Sequence, residues 1–96
     1  MNFDELFRII AERKANPRAG SYTRLLLDQG EDAVLQKIGE EAVEVILAAK
    51  SQGDQRVIEE VSDLFFHLLV LLSSRGLTLD DVEAELGRRH AAKTSK

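Results

Sequence analysis

The chain has 96 residues, of which 44% are hydrophobic, and its 13 basic and 17 acidic side chains give a formal net charge of −4; this composition predicts one globular domain rather than a disordered chain. The absence of cysteine excludes disulfides and thiolate metal sites within the chain, and the acidic balance argues against a nucleic-acid partner, whose binding surface is usually basic. Because no apolar run approaches the ~20 residues that cross a bilayer, and the first ten residues lack the layout of a secretory signal, we expect a cytoplasmic protein with no membrane partner.

Helical periodicity runs along nearly the whole chain, and no alternating strand pattern is visible. The first helix is predicted over Phe3–Ala15, where apolar residues recur every three or four positions and Pro17 then prevents continuation. A short second helix is predicted over Tyr22–Gln29, with Ser21 as its cap and Gly30 closing it. The pattern therefore favours an all-α chain.

Two long helices follow and are expected to form an antiparallel hairpin. The third helix is predicted over Glu31–Gln52 and the fourth over Gln55–Arg75. Gly53 breaks the helical pattern between them, and Asp54 is expected to cap the fourth helix.

The last helix is predicted over Leu79–His90, with Thr78 as its cap and Asp81 three residues later in the position of a capping box. Residues 91–96 are expected to fray. Together the elements predict a single all-α domain over residues 1–96, a helical bundle built around the two-helix hairpin.

Polar residues that bear chemistry are concentrated on one face of each long helix. The face of the third helix includes a lysine and three glutamates, and that of the fourth includes two acids and a histidine. A turn centred on Gln52 places these residues opposite one another across the hairpin. The facing pairs are Glu41 with Asp63, Glu44 with Glu60, and Lys37 with His67.

Carboxylates packed together repel one another unless a cation neutralises them. Asp63 and His67 lie inside a segment, Val61 to Leu72, that is apolar nearly all round, which predicts burial and makes an unneutralised carboxylate costly. Oxygen ligands alone favour a hard ion, Mg²⁺ with Mn²⁺ as a substitute. The predicted metal ligands are Glu41, Glu44, Glu60 and Asp63. The alternative is that these acids are ordinary solvated surface.

The spacing of these acids resembles the signature of the all-α nucleoside triphosphate pyrophosphohydrolases, Glu40-Glu41-x-x-Glu44 followed by Glu60-x-x-Asp63. Over about residues 3–89 the chain more narrowly resembles the phosphoribosyl-ATP pyrophosphatase family, through Gly20-Ser21-Tyr22-Thr23, Lys37 and His67. The resemblance implies a Mg²⁺-dependent enzyme that hydrolyses phosphoribosyl-ATP to phosphoribosyl-AMP and pyrophosphate, the second step of L-histidine biosynthesis. It also implies a dimer, and it matches the same four acids to the metal-binding positions.

Within that reaction, Glu40 or Glu41 is expected to orient or deprotonate the attacking water, and their spacing does not choose between them. Lys37 lies on the face of the acids and is expected to contact phosphates; its alternative is an ion pair with Glu41 one turn later. Surface arginines are further phosphate-binding candidates, although ordinary surface charge is the simpler interpretation. They are Arg18, Arg24, Arg56, Arg88 and Arg89.

The other predicted substrate contacts are Ser21, Tyr22, Thr23 and His67. Ser21 has an alternative role as a helix cap, and Tyr22 has one in packing. His67 is either a substrate contact, a partner of a metal-bound carboxylate, or a core histidine whose hydrogen bonds are satisfied internally.

The fourth helix is apolar on nearly every side. One hairpin partner covers only part of that apolar surface, so a homodimer with shared sites is predicted. The alternative is that the terminal helices cover it within a monomer. Two other functions stay open at this point. One is a housecleaning pyrophosphohydrolase for non-canonical nucleoside triphosphates, and the other is a helical dimerisation module without catalysis.

Overall fold

A computed structural model describes residues 1–16 and 21–94, with side chains described through Lys93. Within those residues the chain forms five α-helices and no strand, which confirms the all-α prediction. In chain order the helices are α1 (Phe3–Ala15), α2 (Tyr22–Gln29), α3 (Glu31–Ser51), α4 (Asp54–Ser74) and α5 (Leu79–Thr94). Three residues used above, Pro17, Arg18 and Gly20, lie outside the described residues, as do positions 95 and 96 of the predicted tail.

The predicted bounds of α1 and α2 are confirmed, whereas the later helices differ at their ends. α3 ends one residue early, and α4 is shifted by one residue toward the N-terminus because Gly53, not Asp54, is its N-cap. Gly53 has a φ of 91°, a conformation open to glycine because it has no Cβ. α5 continues to Thr94, four residues beyond His90, since residues 91–93 are Ala, Ala and Lys, which favour helix.

Side-chain caps fix the starts of the shorter helices as predicted. The Oγ of Ser21 accepts a hydrogen bond of 3.3 Å from the backbone N–H of Arg24 at the start of α2. At the start of α5, the Thr78 and Asp81 side chains each accept a hydrogen bond from the backbone N–H of the other, at 3.2 and 2.9 Å. These are the orphan donors that a helix N-terminus otherwise leaves to water.

The core lies where α1 and α2 pack onto one side of the α3–α4 hairpin. Its buried members come from each of the four helices: Ile10, Leu26, Val34, Leu69 and Val70. A surface ion pair between Glu31 and Arg75 joins the start of α3 to the end of α4 and closes the open end of the hairpin. The packing of α3 against α4 holds the acids of the two long helices opposite one another.

The other end of the hairpin keeps apolar side chains in solvent. We call these four residues the hairpin patch: Val43, Ile46, Leu47 and Ile58, each exposed by 50–59%. Neither α1 nor α2 buries these side chains. Among the described residues, no helix is both long and apolar enough to span a bilayer.

Candidate metal centre

Three of the acids predicted to bind metal come together across the hairpin. One carboxylate oxygen from each of Glu41, Glu60 and Asp63 lies within 4.8 Å of the other two. Glu41 and Glu60 are 9% and 3% exposed, whereas Asp63 faces solvent. The three form an acidic group with two buried members and one open side, which we call the acid triad.

The buried members of the acid triad have unsatisfied oxygens. The Oε2 atoms of Glu41 and Glu60 are both buried and have no hydrogen-bond partner. A buried carboxylate oxygen without a partner is costly, because it has lost water and gained nothing in exchange. A divalent cation bound among the three carboxylates would satisfy both atoms, and an all-oxygen donor set suits Mg²⁺ or Mn²⁺. The residues present therefore fit the predicted metal.

Glu44, the fourth predicted ligand, lies beside the acid triad rather than in it. Its side chain is exposed, and the neighbouring Glu60 raises the pKa of the Glu44 carboxyl by hydrogen bonding and by its negative charge; partial desolvation and the charge of Asp63 act in the same direction, and Arg56 opposes them. The structure thus brings all four acids into one electrostatic unit, and the ligand role of Glu44 stays a prediction.

Arg56 contacts the acid triad from outside. Its guanidinium donates one hydrogen bond to Glu60 Oε1 and another to Glu59 Oε1. The sequence did not distinguish Arg56 from the other candidate arginines, although its four-residue spacing from Glu60 is the signal that could have done so. Arg24 instead pairs with Asp28, and Arg88 and Arg89 both pair with Glu85.

Glu40 and Lys37 lie on the solvent side of α3. The Lys37 ammonium is 4.0 Å from a Glu40 carboxylate oxygen, and both side chains are about half exposed. The alternative predicted for Lys37 was a pair with Glu41, but its observed partner is Glu40. No contact in the described residues joins either side chain to the acid triad, so their roles in water activation and phosphate binding stay predictions.

His67 and Tyr22 form a hydrogen-bonded pair next to the acid triad. His67 is 5% exposed, and its Nδ1 lies 2.8 Å from the backbone carbonyl of Asp63. Because a carbonyl only accepts, Nδ1 is the donor there, and in the neutral ring Nε2 accepts from the Tyr22 hydroxyl 2.9 Å away. Both ring nitrogens thus have partners within the chain, as the core-histidine alternative predicts, and the ring braces the helical turn that carries Asp63.

The segment at the start of α2 also has internal partners. Ser21 caps the helix, as described above, and Thr23 is buried at 7% exposure. The Tyr22 ring stacks on Phe66 with 6.0 Å between the ring centres. No sequence pattern links Tyr22 to His67, 45 residues later, so that contact could not be predicted. Substrate binding by Ser21, Tyr22 and Thr23 stays a prediction.

The fold and the acid triad define an all-α protein whose helical hairpin presents opposed carboxylates suited to a divalent cation. The chain belongs to the phosphoribosyl-ATP pyrophosphohydrolase family, whose model it matches over residues 3–90. It is 49% identical over 88 residues to the phosphoribosyl-ATP pyrophosphatase of Limosilactobacillus fermentum, an alignment that covers 92% of this chain and 83% of the relative.

Two further relatives have the same name. The phosphoribosyl-ATP pyrophosphatase of Leuconostoc mesenteroides is 50% identical over 91 residues, covering 95% of this chain and 79% of the relative. That of Methanocella arvoryzae is 46% identical over 88 residues, covering 90% of this chain and 93% of the relative. The similarity includes the whole hairpin that holds the acid triad.

Proposed function

We propose that this chain hydrolyses phosphoribosyl-ATP to phosphoribosyl-AMP and pyrophosphate in a Mg²⁺-dependent reaction, as the second step of L-histidine biosynthesis in the cytoplasm. The family match and the names of its relatives support the substrate. The observation that carries the chemistry is the pair of unpartnered buried oxygens on Glu41 and Glu60, within reach of Asp63. Only a bound cation makes such a group of acids useful to an anionic substrate.

Glu41, Glu60 and Asp63, with Glu44 beside them, would hold Mg²⁺. When bound, the ion would neutralise phosphate oxygens and the charge developing on the leaving pyrophosphate. The exposure of Asp63 leaves one side of the acid triad open to solvent, and substrate would approach from that side. The buried carboxylates, held by the packing of two long helices, keep their positions when the substrate arrives.

The attacking water would be oriented or deprotonated by Glu40 or Glu41. Glu41 belongs to the acid triad and would be committed to the cation, whereas Glu40 is exposed and its partners are Lys37 and Gln36. This contrast favours Glu40 as the residue that acts on water. Lys37, held beside it, would then contact the phosphates as a mobile point charge.

The start of α2 would form the wall of the substrate site. Tyr22 is 45% exposed, and its hydroxyl contacts His67, which in turn contacts the backbone of Asp63. This chain of hydrogen bonds connects α2 to the helical turn of α4 that presents Asp63. Ser21 and Thr23 would contact the ribosyl phosphate from the same segment, although each already has a structural role.

We also propose that the active protein is a homodimer. The hairpin patch exposes four large or branched apolar side chains on the parts of α3 and α4 that flank the hairpin turn. Contiguous exposed apolar surface on a small soluble domain usually marks an interface. A two-fold axis through this patch would bury it on both copies and would bring the partner close to each acid triad.

A substrate panel tests the proposal against the housecleaning alternative. Pyrophosphate release is measured with phosphoribosyl-ATP, ATP and an oxidised nucleoside triphosphate under the same Mg²⁺ concentration. We expect kcat/KM for phosphoribosyl-ATP to exceed the other values by at least about 100-fold, because its extra ribosyl phosphate supplies remote binding energy. Equal values would favour the housecleaning enzyme, and no release from any substrate would favour a module without catalysis.

A further inference from the structure

Arg56 reaches from solvent onto a buried carboxylate of the acid triad. The arginine side chain is 49% exposed, whereas that of its partner Glu60 is only 4% exposed. The guanidinium contacts Glu60 through one nitrogen and the exposed Glu59 through another. Among the described residues, Arg56 is the basic side chain that an ion pair joins to the acid triad.

The contact divides the Glu60 carboxylate into two unlike oxygens. Oε1 accepts from Arg56, while Oε2 is buried without a partner. Arg56 therefore compensates the charge at Oε1 of Glu60 and leaves the buried Oε2 for another cation. An arginine stays protonated at every physiological pH, so its positive charge next to the acid triad is permanent.

We propose that Arg56 is a built-in counter-ion that stabilises the acid triad in the metal-free protein and lowers its affinity for a divalent cation. The inference rests on the proposed function in one respect, that the acid triad binds such a cation. A permanent positive charge on the Glu60 carboxylate would repel a Mg²⁺ or Mn²⁺ ion held by the same side chain and would weaken that carboxylate as a ligand. The acids alone would bind the ion more tightly than the protein does.

Direct measurement of cation binding tests this without any assay of turnover. Mn²⁺ is titrated into the metal-stripped protein by isothermal titration calorimetry, for the wild type and for Arg56→Gln, Arg56→Lys and Arg88→Gln. Arg88 also forms a three-residue-spaced pair with a glutamate, but on α5 and away from the acid triad, so its variant matches the change in net charge. Loss of structure would weaken binding, so the expected tightening cannot come from misfolding.

We expect Arg56→Gln to bind Mn²⁺ about five- to tenfold more tightly than the wild type, while Arg56→Lys and Arg88→Gln stay within about twofold of it. Unchanged or weaker binding by Arg56→Gln, beside normal binding by the wild type, would overturn the inference and leave the proposed metal site standing. Equal tightening in Arg88→Gln would overturn it as well, since net charge alone would then be the cause. Absence of Mn²⁺ binding in all four proteins would overturn both the inference and the proposed metal site.

Discussion

Glu60 lies between a positively charged side chain and the other acids of the hairpin. One of its oxygens accepts from Arg56, the other is buried without a partner, and its charge helps to raise the pKa of the neighbouring Glu44 carboxyl. A buried carboxylate in this setting costs folding free energy unless positive charge compensates it. A bound cation would remove this cost in folding free energy. A buried carboxylate in such a position is typical of a functional site rather than of a stabilising ion pair.

Neutral, isosteric substitutions in the acid triad are expected to lower activity without lowering stability. We expect Glu41→Gln and Asp63→Asn each to lower the rate of pyrophosphate release from phosphoribosyl-ATP by at least about 100-fold, because each removes a proposed ligand of the cation. The melting temperature of the metal-free protein should stay the same or rise, since one member of a repelling set has lost its charge.

Glu85→Gln is the matched control for these variants, because Glu85 lies on α5 and pairs there with Arg88 and Arg89. Its rate should equal that of the wild type. Near-normal turnover by Asp63→Asn would contradict the assignment of Asp63 as a ligand.

Glu44 gives the metal-free protein a pH-dependent stability with a defined sign. The neighbouring Glu60, by hydrogen bonding and by its negative charge, raises the pKa of the Glu44 carboxyl, so the folded state favours the protonated form. The stabilisation of the folded state by protonated Glu44 is fully present below the ordinary pKa of a glutamate. It is lost as pH rises through the raised pKa of Glu44. Thermal melts in EDTA should therefore show Glu44→Gln to be more stable than the wild type at neutral pH and equal to it below about pH 4. A difference that does not change with pH would contradict this account of Glu44.

At the level of elements, the hairpin and its register follow from spacing alone. Helical periodicity places acids on one face of each long helix, and a reversal near residue 52 then sets Glu41 near Asp63 and Glu44 near Glu60, which is the arrangement observed. The helix count and most helix ends follow from the same periodicity together with caps. What spacing leaves undetermined is rotamer choice on exposed faces, as when Lys37 turns to Glu40.

Contacts between elements distant in sequence were also beyond prediction. Nothing local indicates that Tyr22 of α2 bonds His67 of α4, since the contact depends on how α2 packs against the finished hairpin. The position of the turn was missed by one residue because a positive φ at Gly53 made the glycine itself the cap. These contacts and caps determine which polar groups have hydrogen-bond partners, and hence which of the predicted site residues also have a structural role.

The Tyr22–His67 contact gives a test of whether His67 has a structural role. Tyr22→Phe keeps the ring that stacks on Phe66 but removes the donor to the buried Nε2 of His67. We expect the free energy of unfolding to fall by about 1–2 kcal/mol in chemical denaturation, with a smaller effect on the KM for phosphoribosyl-ATP than a lost substrate contact would cause. Unchanged stability with a large rise in KM would instead assign the Tyr22 hydroxyl to the substrate.

On the scale of the whole molecule, several large apolar side chains of the described residues stay exposed to solvent. α5 contributes no buried side chain among its described residues, and its Val82 and Leu86 are 41% and 60% exposed. The terminal helices thus do not complete a monomeric core over the hairpin patch. A small domain buries a limited share of its surface alone, so a second copy is the simplest way to cover it.

Sedimentation equilibrium at micromolar concentration tests the dimer. We expect a mass of twice the 10.7 kDa chain for the wild type, and a single-chain mass for Ile46→Glu, because a charge in the hairpin patch cannot be buried at an interface. Leu86→Glu, a matched change at an equally exposed apolar position on α5, should remain dimeric. A wild type that sediments as one chain would contradict the dimer, and dissociation by Leu86→Glu alone would move the interface to α5.

The central claim is that the acid triad binds a divalent cation on which hydrolysis depends. The most direct test is pyrophosphate release from phosphoribosyl-ATP by EDTA-stripped protein as Mg²⁺ is added back. We expect no turnover above the uncatalysed rate before addition and a saturable recovery afterwards, since unneutralised carboxylates repel the triphosphate. Full turnover in EDTA, or none at saturating Mg²⁺, would contradict the claim.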